Sequence, residues 1–161
     1  MKASSVRILL VDDFLSWHTL IQLHLQPHQD LQVVAVAADG YEAVQKAAEF
    51  QPDLVLLDVR LPRANGIEVA AQILERAPRT TILFLSETCD PDIVEAALAA
   101  GGSGYVAKNR IARDLLIGIS SVLRGELFIT PELKKINGSE SDGVHTADGR
   151  CPTWLLHSSS T

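Results

Sequence analysis

Five short apolar stretches recur along the chain at nearly even spacing. Most of them are continuous and rich in Val, Ile or Leu, without the alternation of a half-exposed strand. Such runs are typical of parallel strands that are covered on both faces. The pattern predicts five strands, at residues 6–11, 31–36, 54–57, 81–85 and 104–107.

Helical periodicity occupies the segments between the predicted strands. A proline follows each of the first three helical segments, and Asp39 is placed to cap the second. The pair Asp90-Pro91, a capping carboxylate followed by a proline in the first turn, begins the fourth. The predicted helices are residues 14–26, 41–50, 67–76, a segment from Asp90-Pro91 to Gly101, and residues 111–124.

The elements alternate between strand and helix, with short connections. This order predicts an α/β fold with a doubly wound five-stranded parallel sheet, and right-handed crossovers place helices on both faces. We expect the flavodoxin-like strand order 2-1-3-4-5. The composition changes at Lys134, beyond which Gly, Ser, Asp and Thr dominate. We therefore predict one domain over residues 1–133 and a polar, disordered C-terminal tail over residues 134–161.

Composition and charge narrow the class of protein. Apolar residues make up 47% of the chain, which is enough for a well-filled core. The net charge of −6 argues against a general nucleic-acid binder. No apolar run approaches the roughly 18 residues of a membrane span, and no signal peptide is evident. Cys89 and Cys151 lack metal-ligand spacing, so we expect free thiols in a cytoplasmic protein without membrane contact.

Polar residues with useful chemistry fall at the carboxyl ends of the predicted strands. Asp12 and Asp13 follow the first strand, Asp58 the third, Ser86 the fourth and Lys108 the fifth. This edge is where open α/β sheets bind ligands. In the expected order the first and third strands are neighbours, so the three carboxylates should face one another in one crevice.

Three crowded carboxylates repel one another, and their pKa values would rise unless a cation compensates for them. Lys108 supplies one positive charge, which is too little. A hard divalent ion with oxygen ligands is the natural remedy, and partly hydrated Mg²⁺ suits an open, shallow site better than Ca²⁺. A metal, a carboxylate beside it, and Lys and Ser side chains ready to bind an anion together predict transfer of a phosphoryl group onto a carboxylate.

Four motifs, in their order and spacing, resemble the signature of CheY-like response regulator receiver domains: ILLVDD, LVLLDVRLP, LFLSE and GYVAK. The resemblance covers about residues 5–125. The later GELFITPEL resembles the receiver end of regulators that continue into a LuxR-type helix-turn-helix. The resemblance implies the receiver of a two-component or phosphorelay signal transduction system. Such a phosphorylation-dependent switch is not an enzyme beyond self-phosphorylation from phosphodonors and autodephosphorylation.

The resemblance also implies roles for individual residues. Asp58 would accept a phosphoryl group from a sensor histidine kinase or a phosphotransfer protein. Asp13, Asp58 and the main-chain carbonyl of Arg60 would ligate Mg²⁺, and Asp12 would hold a metal-bound water. Lys108 would bridge to Asp58 and then to the phosphoryl group.

A switch follows from the same resemblance. Ser86 would bond a phosphoryl oxygen, which would let Tyr105 rotate inward. The surface formed by the fourth helix, the fifth strand and the fifth helix should then carry the contact with a partner, or with a second copy in a homodimer. Alternatively, Tyr105 is a half-buried strand aromatic without a switching role.

Two residues depart from the pattern of the family. The residue after the switch hydroxyl is usually small, whereas this chain has Glu87 there, and Arg60 places a long cation two residues beyond the acceptor. Both residues leave the rate of phosphorylation and the lifetime of the phosphate in question, but not the resemblance to the family. The three histidines His18, His24 and His28 are expected at solvated positions and not at a metal.

Two other functions are alternatives. An aspartate-nucleophile phosphatase would carry a D-x-D motif after one strand, whereas this chain has adjacent Asp12-Asp13 and a third carboxylate on another strand. The other alternative is a truncated relative of a LuxR-type DNA-binding regulator. A helix-turn-helix of that type needs about 60 residues, and only 28 follow Leu133. We therefore expect no direct DNA binding by this chain.

Overall fold

The structure, a computed structural model, describes residues 4–138 of the chain. Its strands are β1 (Val6–Val11), β2 (Leu31–Ala37), β3 (Leu54–Asp58), β4 (Arg60–Leu61), β5 (Ala64–Asn65), β6 (Thr81–Ser86), β7 (Gly104–Ala107) and β8 (Phe128–Ile129). Its helices are α1 (Leu15–Leu25), α2 (Gly40–Phe50), α3 (Gly66–Arg76), α4 (Pro91–Ala99), α5 (Ile111–Leu123) and α6 (Pro131–Gly138). A 3₁₀ turn, Lys108–Arg110, joins β7 to α5.

Parallel strands form the main sheet, in the order β2-β1-β3-β6-β7-β8. The predicted strands correspond to β1, β2, β3, β6 and β7, so the doubly wound fold and its strand order are confirmed. The sheet has six strands and not five, because β8 pairs with β7. The two residues of β8 are too few to give a periodic sequence pattern. Strands β4 and β5 form a separate short antiparallel hairpin after β3.

Apolar cores lie on both faces of the sheet, as the continuous strand pattern predicts. Every residue of β3 is buried, because this central strand is covered on both sides. On one face, α1 and α5 contribute Ile21 and Leu115 to the core. On the other face, α2, α3 and α4 contribute small side chains that include Ala47, Ala70 and Ala97. These layers hold the strand ends at fixed positions on one edge of the sheet.

Side-chain caps determine where three helices begin. Asp39 accepts a hydrogen bond from the Glu42 amide at 2.8 Å and caps α2, as the sequence predicted. Asp90 caps α4, with Pro91 in the first turn, which confirms the second predicted start. Asn65 caps α3. Each cap gives a partner to an amide that has none inside its helix.

The segment after α5 returns to the edge of the sheet. The buried Thr130 hydroxyl accepts a hydrogen bond from the Ala107 amide at 2.9 Å, and the Thr130 amide donates to the Tyr105 carbonyl at 2.9 Å. Helix α6 then packs against α4 and buries Leu133. Residues 139–161, most of the predicted tail, lie outside the described residues, so the predicted domain division stays a prediction.

Cys89 is disulfide-bonded, so the expectation of free thiols is wrong for this residue, and Cys151 lies outside the described residues. Sequence spacing did not reveal the bond, because disulfide formation depends on distances set by the folded chain. Over residues 4–138, no helix has the length and apolar character needed to cross a membrane.

Candidate functional site

The carboxyl edge of the sheet brings the predicted site residues together. Asp12 directly follows β1, Asp58 is the last residue of β3, and Ser86 is the last residue of β6. Lys108 begins the 3₁₀ turn after β7. Strands β1 and β3 pair in parallel with their ends in register, so the carboxylates that follow them lie side by side.

Three carboxylates and one ammonium form the centre of the crevice. One oxygen from each of Asp12, Asp13 and Asp58 lies within 4.8 Å of the others. The Nζ of Lys108 lies 2.5 Å from Asp12 Oδ2 and 3.0 Å from Asp58 Oδ2. Lys108, Asp12 and Asp58 are all buried. These four groups therefore carry more negative than positive charge.

Backbone amides hold the two buried carboxylates in place. The Arg60 amide donates to Asp58 Oδ1 at 3.1 Å, and the Phe14 amide donates to Asp12 Oδ1 at 2.9 Å. The second oxygen of each carboxylate accepts from Lys108. Both carboxylates are thus fixed in orientation before any ligand binds.

Burial raises the pKa of the Asp58 carboxyl to about 6. The Lys108 ammonium opposes this rise, and the negative charge of Asp12 adds to it. At neutral pH the carboxyl is mostly ionised, yet the protein alone compensates its charge poorly. The arrangement is therefore suited to an additional cation.

The oxygen donors of the crevice fit a hard divalent cation. Asp13 Oδ1 is buried and has no hydrogen-bond partner in the described part of the chain. Leaving a carboxylate oxygen in this state is costly unless a cation or a water meets it. Carboxylate oxygens are the protein ligands that Mg²⁺ takes. The cluster of Asp12, Asp13 and Asp58 could therefore hold a metal.

The loop after β3 depends on a glycine. A Cβ at Gly66 would lie 2.1 Å from the carbonyl oxygen of Asp58, so only glycine allows this close approach. The Gly66 amide also donates to the Val59 carbonyl at 2.7 Å. The start of α3 is thus held directly against the end of the strand that carries Asp58.

Above the carboxylates, a crevice of about 450 Å³ opens to solvent. Its walls include Ser86, Phe14, Glu87 and Arg60. Phe14 is 59% exposed and places an apolar ring at the entrance. The two residues that depart from the family pattern therefore border the space above Asp58.

Of the predicted switch residues, Ser86 lines the crevice, and Tyr105 is linked to Ser86 through Thr88. The Ser86 hydroxyl oxygen accepts a hydrogen bond from the Thr88 amide at 3.1 Å. Tyr105 is completely buried and donates its hydroxyl to the Thr88 carbonyl at 3.1 Å. Its ring stacks on Phe84, with the centroids 6.4 Å apart. The tyrosine is thus inward in this structure and not half-buried, and burial raises the pKa of its hydroxyl.

Sequence reasoning missed the position of Trp17. The centre of the Trp17 ring lies 4.8 Å from the Nζ of Lys108. Helical spacing in the sequence puts Trp17 on one apolar stripe with Ile21 and Leu25, and the ring does pack partly against that core. The stripe was a signal for burial, but it gave no indication that one ring would also face the crevice lysine.

One of the three histidines is not where the sequence predicted. His18 is buried, and its Nε2 lies 2.6 Å from the carbonyl oxygen of Asp12, so the expectation of a solvated position is wrong for it. His28 is exposed and His24 is half-buried. The contact of His18 depends on how the start of α1 folds back over the end of β1, which helical spacing alone does not give.

Known proteins resemble this chain in both sequence and structure. The family model for the response regulator receiver domain matches residues 8–119. The oxygen regulatory protein NreC of Staphylococcus aureus is 32% identical over 150 residues, which cover 89% of this chain and 69% of NreC. A LuxR-family two-component response regulator from an Aurantimonas species is 31% identical with a TM-score of 0.78, over 82% of this chain and 94% of that one. The response regulator domain of Thermotoga maritima CheB is 28% identical with a TM-score of 0.69, over 74% of this chain and 97% of that one.

Proposed function

This chain belongs to the response regulator receiver domain family and is a receiver of the two-component type, and we propose that Asp58 is its phosphoryl acceptor. One observation carries the proposal. The Asp58 carboxylate lies in an open crevice, 3.0 Å from the Lys108 ammonium and within 4.8 Å of two further carboxylates. The carboxylate thus lines the crevice, is held in one orientation, and lies next to groups that can bind a cation and an anion.

In the proposed reaction, a carboxylate oxygen of Asp58 attacks the phosphorus of a phosphohistidine. Receiver domains interact with histidine kinases or phosphotransfer proteins, and we propose a partner of this kind as the donor, in the cytoplasm. The O–P bond forms as the P–N bond breaks, and the electron pair of the broken bond stays on the imidazole nitrogen. The Arg60 amide and the Lys108 ammonium orient the carboxylate for this attack.

We assign Mg²⁺ to the acidic cluster on the strength of the unpartnered Asp13 oxygen. Asp13, Asp58 and the main-chain carbonyl of Arg60 would be its ligands, and Asp12 would hold a metal-bound water. When bound, the ion would neutralise negative charge between the acceptor carboxylate and the phosphoryl oxygens.

A phosphoryl group on Asp58 would bring about −1.5 to −2 charges and three strong acceptor oxygens. Lys108 and the Ser86 hydroxyl are the nearby donors that would bind those oxygens. Ser86 now accepts from the Thr88 amide, and the Thr88 carbonyl accepts from Tyr105. A movement of Ser86 would therefore be transmitted through Thr88 to the Tyr105 ring.

The surface formed by α4, β7 and α5 is where we propose that the signal reaches a partner or a second copy of the chain. Tyr105 belongs to β7. Because β8 pairs with β7 and α6 packs against α4, both elements border the same surface. A homodimer or partner contact there would include β8 and α6.

Self-phosphorylation from small donors and autodephosphorylation are the only reactions that we propose for the chain. Glu87 and Arg60 border the crevice with opposite charges. The Glu87 carboxylate would repel an incoming phosphodonor, whereas the Arg60 guanidinium would attract it. Their balance would set how fast the aspartyl phosphate forms and how long it lasts.

Intact-mass measurement tests the acceptor. With acetyl phosphate and Mg²⁺, the chain should gain one phosphoryl group, and a chelator should suppress this gain. Asp58→Asn should abolish the addition because the nucleophilic oxygen is lost. The matched control Asp92→Asn, which changes an exposed carboxylate on α4, should leave it intact. Addition that persists in Asp58→Asn would refute the assignment.

A further inference from the structure

The Lys108 ammonium has an aromatic neighbour as well as its two carboxylates. Its Nζ contacts Asp12 and Asp58 at 2.5 and 3.0 Å and lies 4.8 Å from the centre of the Trp17 ring. A cation within about 6 Å of an aromatic centroid is attracted by the ring quadrupole, and Trp gives the strongest attraction. The side chain of Lys108 is only 2% exposed, so water screens this attraction little.

The ring and the carboxylates hold Lys108 in different ways. A lysine carries a compact charge on a flexible four-carbon stem, so its position depends on its partners. A divalent cation held by Asp13 and Asp58, with Asp12 on a metal-bound water, would weaken the attraction of Asp12 and Asp58 for the ammonium, since it competes for the same negative charge. The neutral Trp17 ring has no oxygen ligand to offer that cation. The attraction between the ring and the Lys108 ammonium would therefore persist when the metal binds.

Trp17 is also fixed relative to the crevice. It lies in the first turn of α1, where its amide donates to the Phe14 carbonyl at 3.1 Å. The Phe14 amide in turn donates to Asp12 Oδ1 at 2.9 Å. The start of α1, and with it the ring, is thus connected by hydrogen bonds to one of the carboxylates that Lys108 contacts.

We propose that Trp17 is a positioning residue for phosphoryl transfer, which keeps the Lys108 ammonium over the acceptor through a cation–π contact. The proposal rests on the proposed function of Asp58 and Lys108. Trp17 acts on the reaction through Lys108 and not through its own contact with the phosphoryl group. Weakening the ring's quadrupole should therefore slow phosphorylation even when the shape of the ring is preserved.

Fluorinated tryptophan gives the sharpest test, because fluorine withdraws charge from the ring face and changes its shape little. Trp154→Phe leaves Trp17 as the one remaining tryptophan of the sequence. In this background we would incorporate mono-, di- and trifluorotryptophan and measure the rate of phosphorylation at saturating acetyl phosphate and Mg²⁺. The rate should fall stepwise with each fluorine, towards a total loss of about 2- to 30-fold. A rate independent of fluorine number would overturn the proposal.

A double-mutant cycle tests whether the effect passes through Lys108. Trp17→Leu should slow phosphorylation more than Trp17→Phe, because leucine has no aromatic face, and in a Lys108→Met background the two variants should have equal rates. An equal loss from Trp17→Leu with and without the lysine would show that the ring acts by packing, and would overturn the proposal. If Trp17→Leu does not fold, as judged by circular dichroism, the fluorine series decides alone.

These outcomes are distinguishable from failure of the proposed function. If the unmodified chain gains no phosphoryl group on Asp58, the proposed function fails, and the Trp17 proposal fails with it. If the chain is phosphorylated on Asp58 and the rate does not respond to the fluorine series, only the Trp17 proposal fails.

Discussion

Two charged clusters lie next to the start of α5, and they differ in how well their charges are matched. The crevice has three carboxylates and one ammonium. The second, which we call the Arg113 cluster, consists of Arg113, Asp114, Glu132 and Arg110, whose Nε lies 3.6 Å from Glu132 Oε1, so that two guanidinium groups face two carboxylates. The Arg113 guanidinium donates to both oxygens of Glu132 at 2.6 Å each, and to the two oxygens of Asp114 at 2.7 and 3.0 Å.

The pKa values of the two clusters move in opposite directions. The hydrogen bonds from Arg113 lower the pKa of Glu132 to about 2, whereas burial raises that of Asp58 to about 6. A carboxyl whose pKa is lowered on folding stabilises the folded chain as an ion, and one whose pKa is raised does not. The Arg113 cluster therefore stabilises the contact between α5 and α6, while the crevice keeps unmatched negative charge for ligands.

The largest expected effect on stability comes from the crevice. In metal-free buffer at pH 7, Asp58→Asn should raise the free energy of unfolding by about 1–3 kcal/mol, because it removes a poorly compensated buried charge. The pKa of Asp58 rises from 3.8 to about 6 on folding, so the gain should shrink as the pH falls through about 6 and vanish near pH 3.8. Urea denaturation at several pH values measures it. A variant less stable than the original at pH 7 would contradict the contrast between the clusters.

The Arg113 cluster should respond with the opposite sign. Glu132→Gln should lower the free energy of unfolding at pH 7 by about 1–2 kcal/mol, because Arg113 loses a charged, bidentate partner. The lowered pKa of Glu132 places its stabilisation above about pH 4.5, and the stabilisation should be lost as the pH falls through about 2.

A matched control for Glu132→Gln is available on α2. The Glu42–Lys46 pair has a similar distance of 2.6 Å, but its side chains are 38% and 30% exposed. Glu42→Gln should therefore change the free energy of unfolding by less than about 1 kcal/mol. Equal losses from Glu42→Gln and Glu132→Gln would indicate that the Arg113 cluster contributes no more than an ordinary surface pair.

Magnesium should stabilise the folded chain by acting on the crevice and not on the Arg113 cluster. A ligand that binds only the folded chain stabilises it by about 1.4 kcal/mol at ten times its dissociation constant. We expect this gain in the original chain and in Glu132→Gln, and its loss in Asp13→Ala. Thermal unfolding with and without MgCl₂ measures it. An undiminished gain in Asp13→Ala would place the ion elsewhere.

The strands of the sheet and the residues of the crevice were predictable, because each corresponds to a short local pattern in the sequence. Continuous apolar runs identified the buried strands, and Asp12, Asp58 and Lys108 follow strands whose parallel ends must share one edge of the sheet. Their proximity therefore followed from strand order. This part of the prediction needed only the strand order and the position of each residue at the end of a strand.

The remaining features depend on contacts between distant segments. Strand β8 exists because Phe128 and Ile129 pair with β7, and not because of a pattern of its own. The burial of His18 and the placement of the Trp17 ring over Lys108 result from how α1 packs beside the crevice. Spacing along a helix indicates which face is buried, but it does not indicate which polar group that face meets.

Locating the phosphoryl group at a single residue tests most directly whether Asp58 is the acceptor. Borohydride reduces an aspartyl phosphate to homoserine, which peptide mass spectrometry can place at a single position. After treatment with acetyl phosphate and Mg²⁺, homoserine should appear at position 58 and not at 12 or 13. Homoserine at either neighbouring position, or at a carboxylate outside the crevice, would contradict the assignment of Asp58 as the acceptor.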